Sequence, residues 1–259
     1  FSPDRRATLG IFKYGNIILM SLWSLGKHKL LIIDDFPDMR AMMRSIVASL
    51  GATDIHTAKN GDEAVLLMEY NRFDIILCDY NLGEGKDGQQ VLEEARYREF
   101  LPFTTIFVMI TAENSFMMVF GALEHAPDDY LSKPVIRFML LTRLRHLMQK
   151  KERLHPVLLA MDRRCWPAAL KQCETLLETS AEGRHDLQQL KGFLLLKLGE
   201  FDSAAAFYQE LIMERSLPWM TLGLGKALLY SHQYVKAQEV LQELIETRPN
   251  LVASYDLLS

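Results

Sequence analysis

Residues 29–35 read KLLIIDD, a run of four apolar residues followed directly by two carboxylates. A wholly apolar run of this length is typical of a strand that is buried on both faces. The same form returns at residues 74–79, DIILCD, and at 105–111, TIFVMIT. In each case a polar side chain follows the apolar run. The sequence therefore predicts buried parallel strands whose carboxyl ends carry polar groups.

Amphipathic segments separate these runs, and two weaker strands complete the pattern. The spacing of apolar residues predicts strands at residues 54–58 and 129–131 and helices at residues 37–50, 62–70, 89–99, 115–123 and 135–149. Five alternations of strand and helix predict a doubly wound α/β domain, with a five-stranded parallel sheet between two layers of helices.

The composition is that of a globular chain: 259 residues, 49% hydrophobic and 24% charged, with a formal net charge of −4. This balance gives no sign of a nucleic-acid or membrane partner. The three cysteines lack CxxC spacing, so a disulfide framework is not expected and the cytoplasm is the default compartment. The apolar stretch at residues 17–25 is too short to span a bilayer. We interpret residues 1–26 as an N-terminal extension, either a docking helix or non-native sequence, and the chain as a fragment because it begins with Phe1.

Polar residues at the strand ends supply a candidate site. In an open parallel sheet these ends meet at one edge, so Asp34, Asp35 and Asp79 should converge there. Clustered carboxylates repel one another, and Mg²⁺ is a natural counter-ion for an all-oxygen site. Phosphoryl transfer to a carboxylate needs such a cation near the nucleophile. This assignment makes Asp79 the nucleophile. The metal ligands are Asp35 as the main one, Asp34 directly or through water, and the backbone carbonyl of Asn81. Lys133 and Thr111 are partners of the phosphoryl oxygens.

These residues resemble the receiver domain of two-component response regulators. The resemblance covers residues 27–150 and rests on the acidic pair, the acceptor Asp79, Thr111 followed by Ala112, and DDYLSKP at residues 128–134. It implies the strand order 2-1-3-4-5 and a phosphoryl donor that is a histidine kinase or phosphotransfer protein. It also implies a switch in which Thr111 moves toward the phosphoryl group and Tyr130 turns inward. The chain would be a phosphoacceptor rather than an enzyme with its own substrate. Leu82-Gly83 replaces the proline that the family usually has after the acceptor.

Residues 151–259 show helical periodicity and an internal repeat. The segment from Gly192 to Leu211 superposes on that from Gly225 to Leu244 with a shift of 33 residues. A weaker copy precedes them and another begins near Tyr255. The repeats resemble tetratricopeptide repeats, which stack into a solenoid with a concave groove for protein partners. Because the chain stops within a repeat, we expect the protein to continue beyond Ser259.

Several alternatives remain open at this level. Asp34 and Asp35 could merely cap the following helix, and the C-terminal part could be an ordinary helical bundle. The leading hypothesis is a phosphorylation-controlled adaptor whose repeats bind a protein partner. Its rivals are a receiver with connector whose enzymatic or DNA-binding output lies beyond Ser259, and a phosphate sink without output. A homodimer through the receiver is also left open. The short join near residue 150 predicts a stiff connection between the two parts.

Overall fold

The computed structural model describes residues 24–112 and 126–247. Its first part is built on five parallel strands, in the spatial order β2-β1-β3-β4-β5. The strands are β1 (Lys29–Ile33), β2 (Asp54–Ala58), β3 (Ile75–Asp79), β4 (Ile106–Thr111) and β5 (Asp129–Ser132). The sequence-based prediction of a five-stranded parallel sheet in the order 2-1-3-4-5 is therefore confirmed.

Helices cover both faces of the sheet, as the apolar runs of β1, β3 and β4 require. Alternate residues of β1 enter different cores, with Leu30 and Ile32 on one side and Leu31 and Ile33 on the other. The helices of this part are α1 (Pro37–Ser49), α2 (Gly61–Tyr70), α3 (Gly88–Tyr97) and α4 (Arg137–Asp162). Helices α1 and α4 pack on the first face, and α2 and α3 pack on the second. The helix predicted at residues 115–123 lies outside the described residues.

Helix α4 is longer than the sequence predicts. The prediction ended it at Gln149, ahead of Pro156, whereas the structure has one helix of 26 residues that contains this proline. A proline inside a helix removes one backbone hydrogen bond and normally kinks or ends the helix. Here the second half is held by burial, because Leu154, Val157 and Met161 belong to a hydrophobic core shared with the following helices. The predicted boundary between residues 150 and 151 falls inside this helix.

The remaining described residues form an array of antiparallel helices: α5 (Trp166–Thr179), α6 (Arg184–Lys197), α7 (Phe201–Glu214), α8 (Pro218–Tyr230) and α9 (Tyr234–Thr247). Each helix packs on its neighbours along the chain, and α6 also contacts α8. The C-terminal part is thus helical throughout its described length. No helix in the two described ranges is long and apolar enough to cross a membrane.

The internal repeat has a structural counterpart in two close helix crossings. A Cβ atom on Gly192 would lie 2.3 Å from the hydroxyl of Tyr208, and one on Gly225 would lie 2.5 Å from Cδ2 of Leu241. The two pairs are related by the 33-residue shift found in the sequence. The same small-to-large contact therefore recurs between α6 and α7 and between α8 and α9. The further copy that the sequence predicts near Tyr255 lies outside the described residues.

Candidate phosphoacceptor site

Four of the predicted site residues lie at the carboxyl ends of neighbouring strands. Asp34 and Asp35 follow β1, Asp79 is the last residue of β3, and Thr111 is the last residue of β4. Strands β1 and β3 are directly paired, as are β3 and β4. One carboxylate oxygen from each of the three aspartates lies within 4.8 Å of the others. The sheet thus brings together the three carboxylates that the sequence proposed as a metal site.

Lys133 reaches into this cluster from the end of β5. Its Nζ lies 2.7 Å from Oδ2 of Asp79 and 3.4 Å from Oδ2 of Asp34. Both aspartates are only 4% exposed. The backbone N–H of Lys133 donates to the carbonyl oxygen of Thr111 at 2.7 Å. This bond attaches the segment that carries the lysine to the end of β4. The ammonium group of Lys133 thus contacts two of the three carboxylates.

The excess of negative charge is visible in the pKa values of the pair. Burial raises the pKa of Asp79 above its usual value; the hydrogen bond and charge of Lys133 oppose this rise, and Asp34 and Asp35 add to it. Burial by itself would lower the pKa of Lys133, but the hydrogen bond and charge of Asp79, together with the charge of Asp34, raise it. Burial is the first cause of the rise at Asp79, whereas at Lys133 the neighbouring carboxylates outweigh the effect of burial; the local excess of carboxylates contributes to both rises. The same imbalance favours a bound cation.

The donor atoms fit a hard divalent cation such as Mg²⁺. Within the described ranges Oδ1 of Asp35 is buried and has no hydrogen-bond partner, which is rare for a polar atom in a folded protein. Three carboxylates offer only oxygen, the ligand that Mg²⁺ prefers. A cation there would both satisfy Asp35 and offset the charge excess. Asn81 lies in the loop two residues beyond Asp79, where its side-chain oxygen accepts a hydrogen bond from the N–H of Gly83; the role of its carbonyl stays a prediction.

The acidic pair does not act as a helix cap in the usual sense. The N-cap of α1 is Phe36, and its side chain makes no capping hydrogen bond. Asp34 instead accepts from the N–H of Phe36 at 2.8 Å through Oδ1. Arg40 donates to the backbone carbonyl of Asp34 at 2.5 Å. These contacts hold the β1–α1 turn and leave Oδ2 of Asp34 facing Lys133.

Thr111 and Tyr130, the predicted switch residues, lie on neighbouring strands. Thr111 pairs in register with Ser132, and Met109 pairs with Tyr130. Because alternate residues of a strand share a face, Thr111 and Tyr130 lie on the same face of the sheet. Thr111 is buried. Tyr130 is partly buried against the core beneath α2 and α3. Its pKa is raised, mainly by burial and to a smaller extent by the charge of Tyr80.

Gly88 is a positioning residue that sequence analysis did not single out. It begins α3, and a Cβ atom there would lie 2.4 Å from the carbonyl oxygen of Asp79 and 2.8 Å from Sδ of Met109. Its N–H donates to the carbonyl oxygen of Tyr80 at 2.7 Å. The helix therefore packs directly on the backbone of Asp79. The signal in the sequence was Asp87 before this glycine, since Asp87 and Gln90 form a capping box at the start of α3.

Comparisons with known proteins agree on the first half of the chain. The family model described as the response regulator receiver domain matches residues 30–145. The chemotaxis protein CheY of Pseudomonas aeruginosa is 27% identical over 122 residues, which cover 47% of this chain and 97% of that protein. The probable transcriptional regulator ycf27 of Cyanidium caldarium is 29% identical over 124 residues, which cover 48% of this chain and 47% of that protein. Among solved structures, the receiver domain of the Francisella response regulator 1452 has 26% identity and a TM-score of 0.42, over 48% of this chain and 98% of that one.

Residues 30–145 are therefore a response regulator receiver domain, homologous to CheY and to other response regulators. This finding supports a role in two-component signalling. The described helices after residue 145 form a second, helical region.

Proposed function

We propose that this chain is a phosphorylation-controlled adaptor. Asp79 accepts a phosphoryl group from a histidine kinase or phosphotransfer protein, and the helical region binds a protein partner through tetratricopeptide repeats. The observation that carries the proposal is the meeting of three carboxylates within 4.8 Å, with the amine of Lys133 2.7 Å from Asp79. An acidic cluster that holds one lysine is the arrangement that phosphoryl transfer to a carboxylate requires.

In the proposed reaction a carboxylate oxygen of Asp79 attacks phosphorus. The bond between phosphorus and the donor nitrogen breaks, and an acyl phosphate forms on Asp79. Lys133, which pairs with Asp79 in the structure, then pairs with a phosphoryl oxygen and offsets its new charge. When bound to Asp34, Asp35, Asp79 and the Asn81 carbonyl, Mg²⁺ supplies further positive charge at this site. The chain catalyses nothing beyond the gain and loss of its own phosphoryl group.

The same reaction changes the surface of the receiver. The hydroxyl of Thr111 turns toward the phosphoryl group, and Tyr130 turns into the space that it leaves. Their positions on one face of neighbouring strands support this pairing. Physically this is a two-state element biased by a local change of charge. It shifts only by the difference in free energy that phosphorylation gives to the two states.

The helical region provides the output. Its support as a tetratricopeptide array is the recurrence of one close contact, from Gly192 to Tyr208 and from Gly225 to Leu241, at the period of the sequence repeat. The contact between α6 and α8 is what stacking of the first helices of successive pairs would produce. Stacked pairs of this kind produce an extended concave surface for a partner.

The proposal is tested by labelling the chain with acetyl phosphate in the presence of Mg²⁺. Asp79→Asn removes the acceptor and should abolish labelling. Asp74→Asn is a matched control. Asp74 lies directly before β3, at the amino end of the strand, where its carboxylate accepts a hydrogen bond from the N–H of Lys29. Labelling that survives Asp79→Asn, or that is lost equally in both variants, would contradict the assignment of the acceptor. Lys133→Ala should retain Mg²⁺ binding by calorimetry but lose the conformational response to beryllofluoride.

A further inference from the structure

The carboxylate of Asp35 is the least restrained of the three in the candidate metal site. Asp34 accepts a hydrogen bond from the N–H of Phe36, and Asp79 accepts one from the amine of Lys133. Among the described residues no hydrogen bond or ion pair holds the Asp35 carboxylate, and its Oδ1 is buried without a partner. A ligand group usually depends on a neighbour that fixes its orientation. For Asp35 this task falls to packing.

Gly83, in the loop between β3 and α3, packs directly against this carboxylate. A Cβ atom on Gly83 would lie 3.1 Å from Oδ2 of Asp35 and 3.8 Å from its Cγ. The first distance is shorter than an ordinary van der Waals contact, so a side chain at this position would have to displace either the carboxylate or the loop. The bare backbone of glycine leaves both in place.

The backbone up to Gly83 is held by the core and by a local turn. Leu82 is only 2% exposed and belongs to the core beneath α2 and α3. The N–H of Gly83 donates to Oδ1 of Asn81 at 3.2 Å. Gly83 has a φ of +73°, in the left-handed region that glycine adopts at little cost. The conformation of the residue and the burial of its neighbour together bring the loop to Asp35.

The backbone beyond Gly83 is held by ion pairs. The amine of Lys86 pairs with Asp62 in the first turn of α2 and with Glu94 of α3, the latter at 2.8 Å. This lysine therefore attaches the far end of the loop to both helices on this face of the sheet. With each end attached, the loop forms a fixed wall beside Asp35.

We propose that Gly83 is a positioning residue for Asp35 and so sets the affinity of the site for Mg²⁺. Its backbone confines the carboxylate on the Oδ2 side, so that the ligand is oriented before a cation binds. A side chain there would weaken binding although every ligand is still present. The inference rests on the proposed function above, and it adds a residue that controls the cation without contributing a ligand group.

Calorimetric titration with Mg²⁺ alone tests this on the full chain. Gly83→Ala adds the Cβ atom, and we expect the affinity to fall about tenfold, as it does for other residues that orient a ligand. Gly83→Asn also adds a Cβ atom, but asparagine tolerates a positive φ better than alanine does. A similar loss in the two variants therefore points to contact with Asp35 rather than to backbone strain.

Gly85→Ala is the matched control. Gly85 lies in the same loop with a φ of +100°, and a Cβ atom there would meet no described atom within 4 Å. The variant thus introduces backbone strain without the contact, and it should keep the affinity of the native chain. Both glycines are exposed, so the fold should survive each change, and circular dichroism in metal-free buffer checks this.

Three results would overturn the proposal. The first is an affinity in Gly83→Ala that equals or exceeds that of the native chain. The second is an equal loss in Gly83→Ala and Gly85→Ala, because strain in the loop would then explain both. The third is a loss in Gly83→Ala that Gly83→Asn does not share.

Labelling of Asp79 with acetyl phosphate at a series of Mg²⁺ concentrations gives a second readout. In Gly83→Ala the concentration that gives half the maximal rate should rise about tenfold, whereas the maximal rate at saturating Mg²⁺ should match that of the native chain. This split separates weaker cation binding from damage to the acceptor. A lower maximal rate with an unchanged half-maximal concentration would contradict a role through Asp35.

The outcome is separable from that of the phosphorylation test. If the native chain binds Mg²⁺ but Asp79 is not labelled, the phosphoacceptor fails, and the titrations still decide the role of Gly83. If Asp79 is labelled but Gly83→Ala binds Mg²⁺ as the native chain does, the positioning role fails and the phosphoacceptor stands.

Discussion

At the scale of single residues, the predicted acceptor Asp79 lies where its ionised form costs stability. Burial and the neighbouring charges of Asp34 and Asp35 raise its pKa, even though Lys133 opposes them. A group whose pKa is higher in the folded than in the unfolded state stabilises the fold only while it is protonated. This contribution is fully present below about pH 4, the usual pKa of an aspartate, and is lost as the pH rises through the folded-state pKa. At neutral pH the ionised carboxylate therefore destabilises the metal-free receiver.

Asp79→Asn should consequently raise the thermal midpoint at pH 7 in metal-free buffer. We expect a rise of a few degrees, because about 1 kcal/mol corresponds to roughly 2–4 °C in a chain of this size. The gain should fade as the pH falls toward 4, where the native Asp79 is itself protonated. Thermal unfolding by circular dichroism at several pH values measures this. A midpoint at pH 7 that is unchanged or lower than that of the native chain would contradict the electrostatic argument, and Asp74→Asn should show no such gain.

The three carboxylates of the site could be predicted from sequence because they come at the ends of two apolar runs, at residues 30–33 and 75–78. The geometry of parallel sheets was sufficient to predict that Asp34, Asp35 and Asp79 lie close together, and the chemistry of carboxylates was sufficient to predict a cation site. Gly88 was missed because its role depends on the approach of α3 to the carbonyl oxygen of Asp79, which no local pattern encodes. The buried and unpaired Oδ1 of Asp35 likewise appears only when the packing is known.

At the scale of elements, the second half of α4 is bonded to the receiver. Lys151 donates to the carbonyl oxygen of Phe103 at 2.7 Å and pairs with Asp128, which also accepts from the N–H of Phe107 at 2.9 Å. Asp162, near the other end of this half, accepts from the N–H of Phe103 and from the hydroxyl of Thr104. Helix α4 is therefore hydrogen-bonded to the segments that lead into β4 and β5.

Lys151→Met should destabilise the chain much more than Lys150→Met. Lys151 and Asp128 have side chains only 13% and 16% exposed, so removal of the lysine leaves a carboxylate and a carbonyl with fewer partners in a poorly solvated place. The loss should be about 2 kcal/mol, below the range for fully buried pairs because some water reaches both groups. Lys150 is the matched control, since its pair with Asp186 is more exposed. Urea unfolding measures both, and equal losses would contradict a special role for Lys151.

Continuity of α4 also predicts that a change in the receiver reaches the helical region. In the native chain, beryllofluoride with Mg²⁺ should alter amide hydrogen exchange beyond residue 155. Glu152→Pro removes one backbone hydrogen bond in mid-helix and kinks it, so this distant effect should shrink while the response near Asp79 remains. Glu152→Ala keeps the helix and should behave as the native chain. An absence of change beyond residue 155 in the native chain would contradict the stiff connection.

The bounds of α4 show where local sequence rules stop. Pro156 is a valid signal for the end of a helix, and the prediction ended the helix ahead of it. The helix continues because Leu154, Val157 and Met161 are buried against α5 and α6, and this tertiary packing outweighs one missing hydrogen bond. By contrast, the alternation of β1 through β5 could be predicted because periodicity alone distinguishes the buried strands from the amphipathic helices.

At the scale of the whole molecule, an aromatic cluster joins the receiver to the helical region. Phe103 of the receiver has its ring centroid 6.4 Å from that of Trp166 in α5 and 6.3 Å from that of Phe193 in α6. Arg96 lies over the same ring at 4.8 Å, and Arg164 pairs with Glu99 beside it. This cluster and the shared helix α4 connect two hydrophobic cores that belong to different parts of the chain.

Because the two parts are joined in this way, Mg²⁺ bound in the receiver should also stabilise the helical region. At ten times its dissociation constant Mg²⁺ would add about 1.4 kcal/mol, a shift of roughly 3–5 °C. In a Trp23→Phe background, fluorescence of Trp166 and Trp219 reports on the helical region, and its unfolding midpoint should rise with Mg²⁺. Phe103→Ala opens the aromatic cluster but leaves α4 in place, so the shift of this midpoint with Mg²⁺ should become smaller. Phe138→Ala removes an aromatic ring that is 63% exposed on α4 and should preserve the shift. The contrary outcome is that Mg²⁺ stabilises the receiver by circular dichroism but leaves the fluorescence midpoint of the Trp23→Phe chain unchanged. The two parts would then unfold independently, without energetic coupling through the aromatic cluster and α4.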